Sequence, residues 1–384
     1  MSVPEIRPFT IDIPEAKITD LKARLAQTRL PDAIEEGGWE RGASLSYMRA
    51  LKNFWLNHFD WRSQERRLNR LPQFIATIDG HDIHFIHVRG KGANPLPIVL
   101  THGWPSSFAE FSKLIPLLTN RCCGGADLDQ AFDVIVPSMP GYGFSARPTQ
   151  AGMTSQRVAE LWLKLMTEVL GYDRFVAHGG DIGAGVTNRL GRIGCDHVIA
   201  IHAMATPHLG LGKNYPGLSA AERAFIELNE KWDEEEGAYA HQQRTRPQTL
   251  AMGLNDSPLG LAAWIIEKWR AWSDCDGEVG ARFSMDELLT NVSIYWFTET
   301  IGSSMRMYYE AAHAPGDPRP NSKIEVPARL FLTREAVDLA PREYAERAYA
   351  NLSYGLAERG GHFLASEEPK LLAQELRSFF RAYR

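Results

Sequence analysis

The sequence predicts an α/β protein, in which helices flank a mostly parallel sheet. Residues 72–205 alternate short apolar runs with helical patterns, as expected for parallel strands joined by crossover helices. Residues 206–315 carry mainly helical patterns, including a helix that begins near Pro258. The loop Pro315–Pro320 returns from these helices, and a strand pattern resumes near Ile324. In residues 1–70, apolar side chains recur at helical spacing and predict amphipathic helices around the core.

Four segments are expected from this pattern. They are an amino-terminal helical extension (1–70), the first part of the core (71–205), a helical lid (206–320) and the second part of the core (321–384). A chain of 384 residues exceeds the usual size of a single core, which also favours a large insertion.

An aspartate lies at the centre of the predicted strand-to-helix turn at residues 179–183, Gly-Gly-Asp-Ile-Gly. The apolar run 174–178 precedes it, and a helical pattern over 184–190 follows. The glycines two residues before and after Asp181 permit a tight turn that lifts the central side chain above the sheet. A carboxylate is already ionised at neutral pH and can act as a nucleophile without a base. An aspartate that only caps the next helix is the alternative.

An ester formed on Asp181 would need a general base for its hydrolysis. His362 lies on a Gly-Gly loop, after the strand-like residues 351–354 and before a helical pattern over 367–383. A loop at the carboxyl end of the sheet can direct this imidazole towards the turn. An ordinary loop histidine is the alternative.

A third group should orient the imidazole and stabilise its cation. We expect it after the strand predicted at 328–333, where Glu335 is the first choice and Asp338 the alternative. Asp338 could instead begin the next helix. The order nucleophile, acid, histidine is that of α/β-hydrolases.

Two backbone N–H groups are expected to form an oxyanion hole. The buried strand predicted at 97–101 opens onto the loop 102–107, and in the α/β-hydrolase fold such a loop works together with the residue after the nucleophile. The predicted donors are the N–H groups of Trp104 and Ile182.

These motifs resemble the epoxide hydrolases of the α/β-hydrolase fold, in the branch of the microsomal and insect juvenile-hormone enzymes. The resemblance covers nearly the whole chain and is carried by Pro8–Ile11, Thr28–Pro31, Asp60–Arg62, Pro72–Phe74, His102–Pro105, Gly180–Gly183, Arg246–Thr249, Asp256–Pro258 and Gly360–Phe363. It implies a helical lid and a hydrolase that converts an epoxide to a vicinal diol through an ester on Asp181. Some actinobacterial members act on polyketide natural products, and the chain length suits that group.

The resemblance also implies two lid tyrosines that donate to the epoxide oxygen. Tyr239 matches the first and Tyr308 the second, with Tyr309 as the alternative to Tyr308. A phenol with a pKa of about 10 stays protonated at neutral pH. It can still donate a proton to an alkoxide, whose conjugate acid has a pKa of about 15.7. At the triad acid the chain departs from the family, because an ungapped alignment places Ala336 there, between Glu335 and Asp338.

Composition bears on partners and location. A net charge of −5 argues against nucleic acid as the main partner, and no apolar run of about 18 residues predicts a membrane span. The first ten residues lack a signal-peptide pattern, so we expect a cytoplasmic protein.

No phosphate or dinucleotide fingerprint occurs in the sequence, and Cys122, Cys123, Cys195 and Cys275 lack zinc-like spacing. We therefore expect no cofactor and no metal. The expected partners are a small-molecule epoxide and water, and the relatives suggest a homodimer.

Two other functions compete with this interpretation. A haloalkane dehalogenase also uses an aspartate nucleophile, but its departing halide needs donors, commonly a tryptophan after the nucleophile, where this chain has Ile182. A catalytically silent protein could instead bind an apolar ligand under the lid. The tryptophans of the lid favour a bulky apolar or aryl epoxide as the ligand.

Overall fold

The computed structural model describes residues 5–34, 38–119, 130–315, 322–334 and 339–384. Within these ranges the chain forms nine strands in one sheet. The strands are β1 (Ile6–Phe9), β2 (Gln73–Ile78), β3 (His81–Val88), β4 (Leu96–Thr101), β5 (Phe132–Pro137), β6 (Phe175–Gly179), β7 (Val198–Ala203), β8 (Ala328–Leu332) and β9 (Leu352–Leu356).

The sheet is mostly parallel, as predicted. Its strand order is β1-β2-β3-β5-β4-β6-β7-β8-β9, with antiparallel pairing from β1 to β5 and parallel pairing from β5 to β9. Every residue of β5 and β6 is buried, because helices cover both faces of a parallel sheet. The carboxyl ends of β4 and β6 lie side by side, with Thr101 opposite Gly179, and this edge is where α/β proteins place their sites.

Helices outside the lid flank this sheet. They are α4 (Ile115–Thr119), α5 (Ser155–Lys164), α6 (Asp181–Ile193), α13 (Arg342–Ala345), α14 (Leu364–Glu367) and α15 (Pro369–Phe380). The hydroxyl of Thr154 accepts a hydrogen bond from the Arg157 N–H at the start of α5, and α5 packs against α6. This contact holds α6, the helix that follows the turn at residues 179–183, on the sheet.

The described part of the predicted lid segment contains six α-helices, after the irregular residues 206–219. Its helices are α7 (Ala220–Glu235), α8 (Ala238–Thr245), α9 (Pro247–Leu254), α10 (Pro258–Trp272), α11 (Met285–Thr298) and α12 (Ile301–His313). The helix predicted near Pro258 is confirmed, with Pro258 at its first position and the Ser257 hydroxyl as its cap. Residues 316–320, predicted to return from the lid, lie outside the described ranges.

The amino-terminal segment contains one strand and three helices in its described residues. Its helices are α1 (Glu15–Ala26), α2 (Leu45–Asn57) and α3 (Trp61–Leu68). The expectation of helices alone missed β1, which pairs antiparallel with β2 at the sheet edge, where Pro8 is tolerated. Ion pairs Arg24–Asp256 (2.6 Å) and Lys17–Glu299 (3.2 Å) connect α1 to the lid. None of the helices described here is long and apolar enough to cross a membrane.

Candidate active site

Asp181 lies on a strained turn between β6 and α6. Its φ angle is 51°, which is uncommon for a residue with a side chain and is typical of a lifted nucleophile. A Cβ atom on Gly183 would overlap the carbonyl oxygen of Thr101, and one on Gly179 would overlap that of Gly183. Glycine is therefore required at both positions for α6 to start so close to the sheet.

Two of the predicted site residues contact the Asp181 carboxylate. The Trp104 N–H donates to Oδ1 at 2.9 Å, and the Nε2 atom of His362 lies 3.5 Å from Oδ2. The carboxylate and imidazole side chains are only 18% and 14% exposed, so little water competes for these contacts. Ile182 follows in the first turn of α6, where backbone N–H groups have no acceptor inside the helix.

The loop that carries Trp104 is fixed from two sides. The His102 Nε2 atom accepts a hydrogen bond from the Met139 N–H at 3.2 Å, and its Nδ1 atom lies 3.0 Å from the carbonyl of Gly103. Burial lowers the pKa of His102 to about 4, so this imidazole is neutral. From the lid, Asn291 and Tyr295 donate to the carbonyls that follow Trp104. The Trp104 N–H is therefore preorganised towards Asp181.

The His362 loop depends on a carboxylate that the sequence did not single out. Glu367 accepts hydrogen bonds from the N–H groups of Gly361 and Phe363, both at 3.0 Å. The His362 N–H donates to the Trp272 carbonyl at 2.8 Å, and its ring packs against the Trp272 ring at 5.0 Å. These contacts hold the imidazole beside the turn. Burial raises the pKa of Glu367, against the lowering effect of its N–H donors.

The two candidates for the triad acid, Glu335 and Asp338, lie outside the described residues. The strand before them, β8, ends at Leu332 and pairs in parallel with β9, after which the His362 loop begins. The two strands therefore end on the same side of the sheet. The choice between the two stays a prediction.

The lid tyrosines meet over the ring of Trp104. Tyr239 on α8 stacks parallel to that ring at 5.2 Å, and Tyr308 on α12 meets it edge-on at 5.9 Å. The two tyrosine rings lie 6.1 Å apart. Tyr309, the alternative to Tyr308, stacks on His313 at 4.0 Å instead. Trp104 therefore contacts Asp181 through its backbone and both tyrosines through its ring.

The hydroxyl of Tyr308 is a protonated donor at neutral pH. Burial raises its pKa well above the ordinary value, and the neighbouring Tyr239 and the negative charge of Asp181 raise it further. A hydroxyl in this environment donates a hydrogen bond and gives up its proton only to a strong base, such as an alkoxide.

Lys268 is a second residue that the sequence did not single out. It is 7% exposed on α10, and its Nζ atom lies 5.2 Å from the ring centroid of Tyr239 and 5.8 Å from that of Trp272. Glu267 and Glu236 pair with the ammonium group at 2.8 and 3.3 Å. The signal was available, since Lys268 interrupts the apolar stripe of α10.

Glu110 is a third residue that the sequence did not single out. It lies in the 3-10 turn Phe108–Lys113 and accepts a hydrogen bond from the Ser106 hydroxyl at 2.6 Å. Burial raises the pKa of Glu110 to about 7 and outweighs the hydrogen bond from Ser106, which lowers this pKa. The charge of His362 lowers the pKa by a smaller amount than Ser106 does, and the charge of Asp181 raises it. The side chain is partly buried, and its position between Phe108 and Phe111 in the sequence already indicates an acid beside the core.

Within the described ranges, no cluster of three or more His, Cys, Asp or Glu side chains could hold a metal ion. Cys195 is an exposed thiol and Cys275 a buried one, whereas Cys122 and Cys123 lie outside those ranges.

Comparison with known proteins places the chain in a family. Residues 6–111 match the epoxide hydrolase N terminus, and residues 97–251 match the alpha/beta hydrolase fold. A predicted epoxide hydrolase of Stigmatella aurantiaca is 42% identical over 99% of this chain and 86% of its own length. Epoxide hydrolase 1 of Sus scrofa is 36% identical over 97% of this chain and 88% of its own length.

Solved structures agree with these relatives. The juvenile hormone epoxide hydrolase of the silkworm Bombyx mori has a TM-score of 0.88 and 29% identity, covering 99% of this chain and 95% of its own. The epoxide hydrolase of Aspergillus niger has a TM-score of 0.83 and 30% identity, covering 99% and 97%. The chain therefore belongs to the epoxide hydrolase family of the α/β-hydrolase fold.

Proposed function

We propose that this protein is a cofactor-independent epoxide hydrolase that converts a bulky apolar or aryl epoxide to a vicinal diol. The observation that carries the proposal is the surroundings of the Asp181 carboxylate. A backbone donor from Trp104 and the imidazole of His362 flank it, while the Trp104 ring connects it to two tyrosines. This combination suits attack on an electrophilic carbon next to an oxygen that needs protons.

In the first step, Asp181 attacks an epoxide carbon and the carbon–oxygen bond of the ring breaks. The departing oxygen takes a proton from Tyr239 or Tyr308, which hold it by hydrogen bonds. The product is an ester between Asp181 and one carbon of the opened ring, with a hydroxyl group on the other carbon.

In the second step, water attacks the carbonyl carbon of the ester. The Nε2 atom of His362 accepts a proton from this water, and Glu335, or alternatively Asp338, stabilises the imidazolium. The N–H groups of Trp104 and Ile182 donate to the oxyanion. When the tetrahedral intermediate collapses, the imidazolium protonates the leaving diol oxygen, Asp181 is released as its carboxylic acid, and the carboxylate and the tyrosine are restored when this proton is lost and the phenolate regains one.

The aromatic environment supports a bulky substrate. Rings of Trp104, Trp232, Tyr239, Trp272 and Tyr308 pack around one another at 5.1–6.4 Å above the nucleophile. Such a surface binds apolar or aryl groups and leaves the two hydroxyls as its polar donors. Homodimer formation and a role in natural-product pathways stay predictions from the resemblance.

The structure favours neither competing function. A dehalogenase commonly uses a tryptophan N–H directly after the nucleophile for its halide, whereas Ile182 lies there and two tyrosines pack on the ring of Trp104. A silent binding protein has no need of an imidazole 3.5 Å from a strained carboxylate.

Oxygen labelling tests the covalent mechanism. A panel of chiral aryl and alkyl epoxides first identifies a substrate, and one turnover is then run with excess enzyme in ¹⁸O-water. The first diol should be largely unlabelled, and the label should appear in the peptide that contains Asp181, because the oxygen in the diol comes from its carboxylate. Immediate label in the diol would mean that water attacks the epoxide directly.

Variants separate the two steps. His362→Gln should form the ester and release it slowly, whereas Asp181→Ala should form none. The exposed His197 provides the matched control, and His197→Gln should behave as the parent. A panel without any diol release would contradict the proposed activity.

A further inference from the structure

Glu110 lines two neighbouring cavities. The inner one offers about 10 Å³ to the centre of a water molecule and is lined by Asp181, His362, Ser106 and His178, among others. This is close to the smallest space that holds one water, and polar groups surround it. The outer cavity offers about 60 Å³ and is lined by residues of α3, α10, α11 and the Phe108–Lys113 turn, including Gln64, Ala109 and Ser112. Glu110 lines both.

The second step of the proposed reaction needs a water molecule in one place. The ester carbonyl carbon lies between Oδ1, which the Trp104 N–H binds, and Oδ2, which lies beside His362. The inner cavity touches the same carboxylate and the same imidazole. A substrate held by the lid tyrosines would lie near the Trp104 ring, and neither tyrosine lines the inner cavity. A water supply that does not cross the occupied substrate site would therefore be useful in every turnover.

The reaction also requires that protons be returned to the groups that lost them and removed from those that gained them. Attack by water on the ester sends one of its protons to His362 and from there to the leaving diol oxygen. The other proton ends on the Asp181 carboxyl, while the tyrosine that protonated the epoxide oxygen is left as a phenolate. Before the next turnover the carboxyl proton must leave and the tyrosine must regain one, with no net change in charge.

We propose that the inner cavity holds the hydrolytic water, that the Glu110 carboxylate accepts a hydrogen bond from it, and that the outer cavity is the route by which this water is replaced. The inference rests on the proposed function. In this arrangement Glu110 also takes up the proton left on Asp181 through the next water and passes it to the outer cavity.

Other groups that face Glu110 are compatible with this role. Ser106 donates to its Oε2 atom, which leaves Oε1 for a water molecule. His178 is neutral, because burial lowers its pKa to about 3, and therefore does not compete with His362 for a proton. Burial raises the pKa of Glu110 to about 7, so that both of its protonation states are accessible near neutrality.

Glu110→Gln tests the water site with a side chain of the same size. In rapid mixing with an epoxide that turns over, ester formation and ester decay are followed separately. We expect ester formation to stay within about twofold of the parent, while ester decay slows by about 10²-fold, the size of a lost proton-transfer partner. The pH profile of ester decay should also lose an inflection near 7, which a merely structural role would not remove. Glu222→Gln is the matched control, since Glu222 is buried far from the site against Arg347.

Ala109→Leu tests the route without touching the carboxylate, because Ala109 lines only the outer cavity. It should slow ester decay and leave its pH profile unchanged. Thermal unfolding confirms that each variant is folded, and Glu110→Ala replaces Glu110→Gln if the latter is not. Parent-like ester decay in Glu110→Gln, or in Glu110→Ala where it is used instead, would overturn the role of Glu110, and parent-like decay in Ala109→Leu would overturn the route. Absence of any ester in the parent would instead contradict the proposed function.

Discussion

Removal of the lid hydroxyls tests how the proposed enzyme stabilises the departing oxygen. Tyr239→Phe and Tyr308→Phe keep the rings that contact Trp104 at 5.2 and 5.9 Å, so the packing of the lid should hardly change. What each variant loses is one donor to the epoxide oxygen. The effect should therefore appear in the rate of ester formation and not in the stability of the fold.

The expected magnitude depends on how far one hydroxyl can replace the other. A general acid contributes about 10²–10⁴-fold, equivalent to about 2.7–5.4 kcal/mol. The two rings are 6.1 Å apart, and the hydroxyl of Tyr239 affects the pKa of Tyr308, so both donors reach one small region. Each single variant should slow ester formation by about 10²-fold, and the double variant by at least about 10⁴-fold.

Single-turnover mixing measures this rate directly, with ester decay as an internal reference. Tyr309→Phe is the control, because Tyr309 occupies the same helix but stacks on His313. The double variant should still hydrolyse any ester it forms at nearly the parent rate. If it forms the ester at the parent rate, the proton comes from another group and the assignment of Tyr239 and Tyr308 is wrong.

Three further predictions concern the surroundings of the site. Lys268→Met should slow ester formation about tenfold, or about 1.4 kcal/mol, because the buried ammonium favours negative charge on the phenol of Tyr239. Substitution of the exposed Lys231 by Met should leave ester formation unchanged. Gly183→Ala should destabilise the protein by about 1–3 kcal/mol or more in chemical denaturation, since its Cβ meets a backbone carbonyl. Gly185→Ala, whose Cβ would lie 3.7 Å from the nearest atom, should instead stabilise it by up to about 1 kcal/mol. In Glu367→Gln the side chain cannot accept hydrogen bonds from all three N–H groups that donate to Glu367, so ester decay should slow while ester formation persists. Parent-like ester decay would show that the His362 loop does not depend on the Glu367 carboxylate.

The elements that the sequence predicted best are those fixed by local chemistry. The strand predicted at 97–101 is Leu96–Thr101 in the structure, and the helix predicted from Pro258 starts there. A buried apolar run or a proline with a serine cap is sufficient to define such an element. In contrast, β1 contains only four residues, one of them Pro8, which is too short for any periodicity.

The residues that the sequence missed depend on contacts between distant segments. Glu110 matters because its turn faces Asp181 and His362, and Lys268 because α10 places it against Tyr239. Both interrupt apolar surroundings in the sequence, which indicates a buried charge but not its neighbours. A buried charge needs a partner, and only the folded chain shows which one it has.

The arrangement around Asp181 also explains why the two half-reactions can share one carboxylate. Ester formation needs proton donors, and ester hydrolysis needs proton acceptors. Because burial raises the pKa of Tyr308 well above its ordinary value, its hydroxyl does not give its proton to a neutral imidazole, and the two kinds of group can lie around one carboxylate. Here both tyrosines pack on the ring of Trp104, while His362 lies beside the carboxylate and lines the inner cavity together with Glu110. Under the proposed mechanism, changes on the lid side should therefore slow ester formation alone, and changes at the inner cavity should slow ester decay alone.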